Sequence, residues 1–191
     1  MAKPTVKPLP RGTTARTDLI LCKQPIDVAY RVPELQPKAA GPWRIEADKI
    51  AWTDPHSGYP CIIRRDGRGG HLAYYVGLPR AHQLFGWTAK AIPAGLVDVP
   101  GGLDYSAACD EGGPEDRSIC HIAEASKHDD LWWLGTNCDR ITDLIPDDGE
   151  HATEARRRGI AQAYRDVGEL FGRCTDLASR LKSLAGEGQT A

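Results

Sequence analysis

The chain has 191 residues, 41% hydrophobic and 26% charged, with a formal net charge of −2. That size suffices for one domain with its own core, and the composition excludes disordered and collagen-like chains. A charge so near zero also lacks the basic excess of a dedicated nucleic-acid binder.

No apolar run nears the roughly 18 residues that span a bilayer, and Met1 to Arg16 has no apolar segment of signal-peptide type. A cytoplasmic protein without membrane contact is expected. The six cysteines, Cys22, Cys61, Cys109, Cys120, Cys138 and Cys174, are scattered, and a chain of this size has little need of a disulfide framework. They are read as reduced thiols.

Residues 1–40 hold six of the fourteen prolines, and seven Lys or Arg against three acids. Proline fixes φ and removes a backbone donor, so this stretch reads as a basic, Pro-rich arm, with a short apolar run at Asp18 to Ile26 that can lie along the body. A solvated linker and a contact to nucleic acid or an acidic partner both remain open for the arm. Nucleic acid is expected nowhere else.

Residues 41–150 form a β-rich body. Lys49 to Thr53, Tyr59 to Arg65 and His71 to Leu78 are predicted strands, joined by Asp54-Pro55-His56-Ser57-Gly58 and Asp66-Gly67-Arg68-Gly69-Gly70. Leu96 to Val99, Gly102 to Ser106, Ile119 to Ala123 and Leu131 to Gly135 are further short strands, with Asp110 to Arg117 as an exposed acidic loop. In the tail, 151–191, apolar residues recur three or four apart from Ile160 through Tyr164, Val167, Phe171, Cys174, Leu177 and Leu181 to Leu184. This predicts one helix over roughly 153–185. Gly168 and Gly172, one turn apart, allow close packing on the sheet or a helix pairing that makes a homodimer. The expected fold class is α+β: an antiparallel β-sheet meander of about five to seven strands, packed by a long C-terminal amphipathic helix.

Chemical signals are sparser. No Cys-x-x-Cys pair exists, and Cys120-His121 would point to opposite faces of a strand, so neither a metal nor another cofactor is implied. The hairpin Arg64-Arg65-Asp66-Gly67-Arg68-Gly69-Gly70 offers guanidinium and amide donors to phosphate. It matches no P-loop or dinucleotide fingerprint and reads first as an ordinary exposed turn. Five Trp stand against two Phe. Adjacent Trp132 and Trp133 must face opposite sides of a strand; one goes to the core and the other to the outer face or under the helix, where it can stack on a base or anchor an interface.

The order of motifs resembles a family of small proteins of tailed phages and prophages. The likeness runs through Gly41-Pro42-Trp43, Asp48-Lys49, Cys61-Ile62-Ile63-Arg64, Tyr75-Val76-Gly77-Leu78-Pro79, Gly101-Gly102-Leu103-Asp104-Tyr105, Ile119-Cys120-His121, Trp132-Trp133-Leu134-Gly135 and Tyr164-Arg165-Asp166. The family pattern reads H-G-G at the glycine turn and W-W-F-G-F-D-C-A-H at the tryptophan strand. This chain departs from it with Pro100 for the first His, Asn137 for the Asp and Arg140 for the last His. If those three groups form a metal or acid–base site in the family, this sequence has exchanged all of them.

The resemblance thus implies a phage or prophage accessory protein that acts by binding. The expected role is counter-defence: inhibition of a host immune protein such as a CRISPR effector, or sequestration of a nucleotide signal. The ligand site is expected where Gly101, Gly102, Trp133, Asn137 and Arg140 meet, with Arg140 favouring an anion. Two other readings stay open: a hydrolase of phosphorylated or nucleotide substrates using Asp98, His121 and Asp139, and an assembly protein oligomerising through the C-terminal helix.

Overall fold

The computed structural model describes residues 11–109, 113–121 and 130–187. Its strands are β1 (Thr14–Arg16), β2 (Ile20–Leu21), β3 (Gln24–Pro25), β4 (Val28–Arg31), β5 (Lys49–Thr53), β6 (Pro60–Arg65), β7 (Leu72–Leu78), β8 (Tyr105–Ala108) and β9 (Trp132–Asn137). Two helices follow, α1 (Gly149–Arg157) and α2 (Val167–Glu187), and single 3-10 turns lie at Pro33–Leu35, Pro42–Ile45 and Ala89–Ala91. Seven strands form one antiparallel sheet in the order β1-β4-β5-β6-β7-β9-β8, and β2 pairs with β3 alone. The fold is α+β, as expected. Among the described residues no helix is long and apolar enough to cross a membrane.

Local turn chemistry organises the centre of the sheet. The Asp54 carboxylate accepts from the Ser57 amide and hydroxyl, both at 2.7 Å, which closes the turn between β5 and β6. The Asp66 carboxylate accepts from the Arg68 and Gly69 amides at 2.8 and 3.1 Å, which folds β6 back into β7. Asp side chains that mimic a backbone turn in this way help set the hairpin register.

Both faces of the sheet are covered, and β7 is buried along its whole length. One face carries Ile50, Trp52, Cys61, Ile63, Tyr74 and Leu134 against α2, which buries Leu170, Phe171, Cys174, Leu177 and Leu181. Trp52 stacks on Phe171 with centroids 4.7 Å apart. The alternate side chains, Ala51, Ile62, Ala73, Tyr75 and Trp133, join Val28, Tyr30, Val32 and Ile119 on the opposite face. This is the two-residue period of a strand in a sheet with two apolar sides.

Several expectations need correction. Residues 14–31, read as part of an arm, supply β1 and β4 to the sheet; the first ten residues of that arm lie outside the described residues. Leu96 to Val99 is not a strand, because Pro93 and Pro100 flank it and remove donors. Of the strand expected at Ile119 to Ala123, the part through His121 is irregular. Ile122 and Ala123 lie outside the described residues, as do Asp110, Glu111 and Gly112 of the acidic loop. Cys109 and Cys120 are joined in a disulfide with their Cα atoms 5.1 Å apart, so these two are not free thiols. The end of β8 and the segment leading to His121 thus meet in space although eleven positions separate the two cysteines.

The tail is not one helix. The Asp148 carboxylate caps α1 by accepting from the His151 amide at 2.9 Å, which starts the helix before Thr153. Gly159, at φ +67°, ends it: its amide donates to the Arg156 carbonyl and the Ile160 amide to the Ala155 carbonyl, the Schellman pattern. The chain then runs without helix until Asp166 caps α2 by accepting from the Glu169 amide at 2.8 Å. A Cβ at Gly172 would meet nothing within 4 Å, and one at Gly168 only the Asp166 carboxylate. The glycine pair therefore does not serve close packing on the sheet.

Candidate functional site

The end of β9, the turn before β8 and the loop into α1 form one hydrogen-bonded cluster. Pairing of β8 with β9 sets Tyr105 opposite Gly135, so Asp104 falls beside Thr136 and Asn137. The Asp104 carboxylate accepts from the Asn137 amide at 3.0 Å, from its side-chain Nδ2 at 3.1 Å and from the Thr136 hydroxyl at 3.4 Å. Burial pushes the Asp104 carboxyl above its ordinary value, against the opposing effects of the Asn137 amide and the Arg140 charge.

Arg140 reaches across this cluster. Its Nη1 donates to the Asn137 carbonyl at 2.6 Å, and its Nη2 to the Thr136 hydroxyl at 2.8 Å and the Gly102 carbonyl at 3.2 Å. Asp104 lies 3.8 Å from the same Nη2. Gly101, at φ +81°, makes room: a Cβ there would sit 1.5 Å from the Arg140 Nε. Only glycine combines that backbone conformation with that approach.

The backbone of Arg140 is held as well. Its amide donates to the Asp143 carboxylate at 3.1 Å, and Arg165 donates to the other oxygen of that carboxylate at 2.8 Å. The His151 Nε2 faces the carbonyls of Arg140 and Asp143, each at 3.0 Å; with two acceptors there, that nitrogen carries the proton. His71 stands behind the cluster, buried, with Nδ1 making no hydrogen bond. Burial lowers its pKa despite the nearby charges of Asp66, Asp139, Asp104 and Asp143.

Of the expected site residues, Gly101, Gly102, Asn137 and Arg140 are brought together here. Trp133 is not: it is fully buried in the apolar cluster on the sheet face opposite α2. Trp132 turns to the other side, partly buried, and its Nε1 donates to the Trp87 carbonyl at 2.9 Å. Asp98, His121 and Asp139 do not assemble. Asp98 lies 3.8 Å from Arg180, and His121 Nε2 lies 3.0 Å from Asp27 with Glu115 at 3.8 Å from Nδ1. Sequence reading missed Asp104, Thr136, His71 and His151 as members of the cluster. Asp104 alone carried a signal, as the polar residue closing the Gly101-Gly102 turn.

Next to the cluster runs an open groove of about 460 Å³, whose lining includes Ile92, Val97 and Leu103 with Lys90, Asp98 and Gly102 but not Leu96. Gly102 belongs to both. Leu96 is 40% exposed, and Trp87 44%. Among the described residues no group of three or more His, Cys, Asp or Glu is placed to hold a metal ion. No protein-family model, curated protein or solved structure matches the chain.

Proposed function

We propose that the protein is a phage or prophage accessory factor that acts by binding in the host cytoplasm, as a counter-defence protein that occludes a host immune protein. The observation that carries the binding reading is the commitment of Asp104, Arg140 and His151 to fixed hydrogen bonds. Asp104 holds Asn137 and Thr136, Arg140 holds three acceptors, and His151 directs its Nε2 proton at two carbonyls. A catalytic acid or base has to be within reach of a substrate proton, and these groups are turned onto the chain itself.

A hydrogen-bonded rim beside a groove of mixed polar and apolar lining suits a protein partner. Trp87 and Leu96 supply the kind of exposed anchors that dominate interfaces, and the fixed Gly101–Gly102 turn gives a preorganised polar edge. The phage assignment rests on the order of motifs from Gly41 to Asp166. The test is phage plating on a host armed with a CRISPR system. Expression of the wild-type chain should restore plaques, and Leu96→Glu should abolish the effect while the purified variant keeps its melting temperature. Restoration by Leu96→Glu at wild-type level would remove the exposed Leu96 anchor from the reading.

A further inference from the structure

The loop Asp66-Gly67-Arg68-Gly69-Gly70 closes one side of a second cleft, of about 340 Å³, which shares no lining residue with the groove beside Gly102. Its walls bring Glu34, Lys38, Arg68 and Asp147 together with the backbone of Gly67 and Gly70. The charges in it are unequal in availability. Glu34 is paired with Arg117 at 2.9 Å. Both oxygens of Asp147 are taken, by the Lys38 and Ala39 amides at 2.9 and 3.0 Å. The Lys38 ammonium and the Arg68 guanidinium make no hydrogen bond or ion pair among the described residues. Arg44 adds a third cation nearby, because its guanidinium donates to the Lys38 carbonyl at 3.1 Å.

The other arginines of the hairpin are engaged: Arg64 donates to the Arg117 carbonyl at 2.9 Å, and Arg65 is buried against Asp48 and Glu46. Arg68 is thus the one hairpin arginine left to a ligand. The loop amides of Arg68, Gly69 and Gly70 are spent on Asp66, and Glu34 and Asp147 are held by fixed donors, so the Lys38 ammonium and the Arg68 guanidinium are the charge-assisted donors the cleft can offer a phosphate. We infer that this cleft binds a small phosphate-bearing molecule of nucleotide size, held by Lys38 and Arg68. The inference stands apart from the proposed contact face, since the two sites are lined by different residues.

Calorimetric titration of the full chain with pyrophosphate, ADP and adenosine tests it. Pyrophosphate and ADP should bind saturably and compete, and adenosine should not bind. Lys38→Ala and Arg68→Ala should each weaken ADP binding roughly tenfold, the scale of one charge-assisted hydrogen bond. Arg156→Ala, which removes the same charge elsewhere, should leave it unchanged. The inference is overturned if neither phosphate compound binds at millimolar concentration, if adenosine binds as well as ADP, or if Arg156→Ala weakens binding as much as Arg68→Ala does.

Discussion

Arg140 carries a guanidinium, which stays charged and cannot exchange a proton near neutral pH as an imidazole can. It fastens the turn instead. Removing it takes the guanidinium donor from the Asn137 and Gly102 carbonyls and from the Thr136 hydroxyl, which keeps its bond to Asp104, so Arg140→Ala should cost about 1–3 kcal/mol in denaturant unfolding. Gly101→Ala should be more damaging in the wild type than in the Arg140→Ala background, where the clash with Nε is gone and only the strain of a positive φ remains. Equal costs in the two backgrounds would mean that the two residues do not touch. His71 provides a pH test. Its folded pKa lies below the ordinary 6.5, so between those values the unfolded chain binds a proton that the folded chain refuses. Stability should therefore fall as pH drops below about 6.5, and His71→Gln should flatten the fall. Melting curves from pH 7.5 to 5.5 with the same slope for both proteins would count against a buried neutral imidazole.

At the scale of elements, the strands β5, β6, β7 and β9 were legible because Asp, Gly and Pro mark their turns and their apolar residues are continuous. The tail misled because Ile160 and Tyr164 keep the helical spacing by coincidence. They lie on the non-helical link between α1 and α2, where Tyr164 packs edge-on to Trp43 at 5.1 Å. What decides the break is the Gly159 conformation and the Asp166 cap, both local features that an apolar period does not register. The glycines of α2 make the same point. Gly172 lies in a regular helix facing open space, so Gly172→Ala should stabilise by roughly 0.5–1 kcal/mol through helix propensity. Gly159→Ala should destabilise by about 1 kcal/mol, because the left-handed conformation disfavours a Cβ. A raised melting temperature for both variants would contradict the assigned helix end.

Across the whole molecule, one buried cluster ties the sheet to the tail. Arg65, at the end of β6, donates to Asp48 at 2.7 Å, to the Tyr164 hydroxyl at 3.0 Å and to Glu46 at 3.1 Å, and Glu46 accepts from the Val167 amide that opens α2. Asp48 and Tyr164 in this cluster, with Arg165 on Asp143 and Asp166 at the start of α2, have structural roles in this chain. Pattern alone could not separate such residues from a functional site, since the partners lie up to 121 positions apart. Arg65→Ala should cost about 3–5 kcal/mol, as breaking a buried ion pair does; a loss below about 1 kcal/mol in the same unfolding assay would show the cluster to be dispensable.

The binding account is tested most directly by titrating the purified protein against a fixed amount of a CRISPR effector complex, and reading the effector's activity, the end point and the masses of both partners. Inhibition should saturate near one molar equivalent, with a complex of the two chains and neither mass changed. Complete inhibition by far less than one equivalent, growing with time and leaving the defence complex or its nucleotide signal chemically altered, would show turnover and contradict the account.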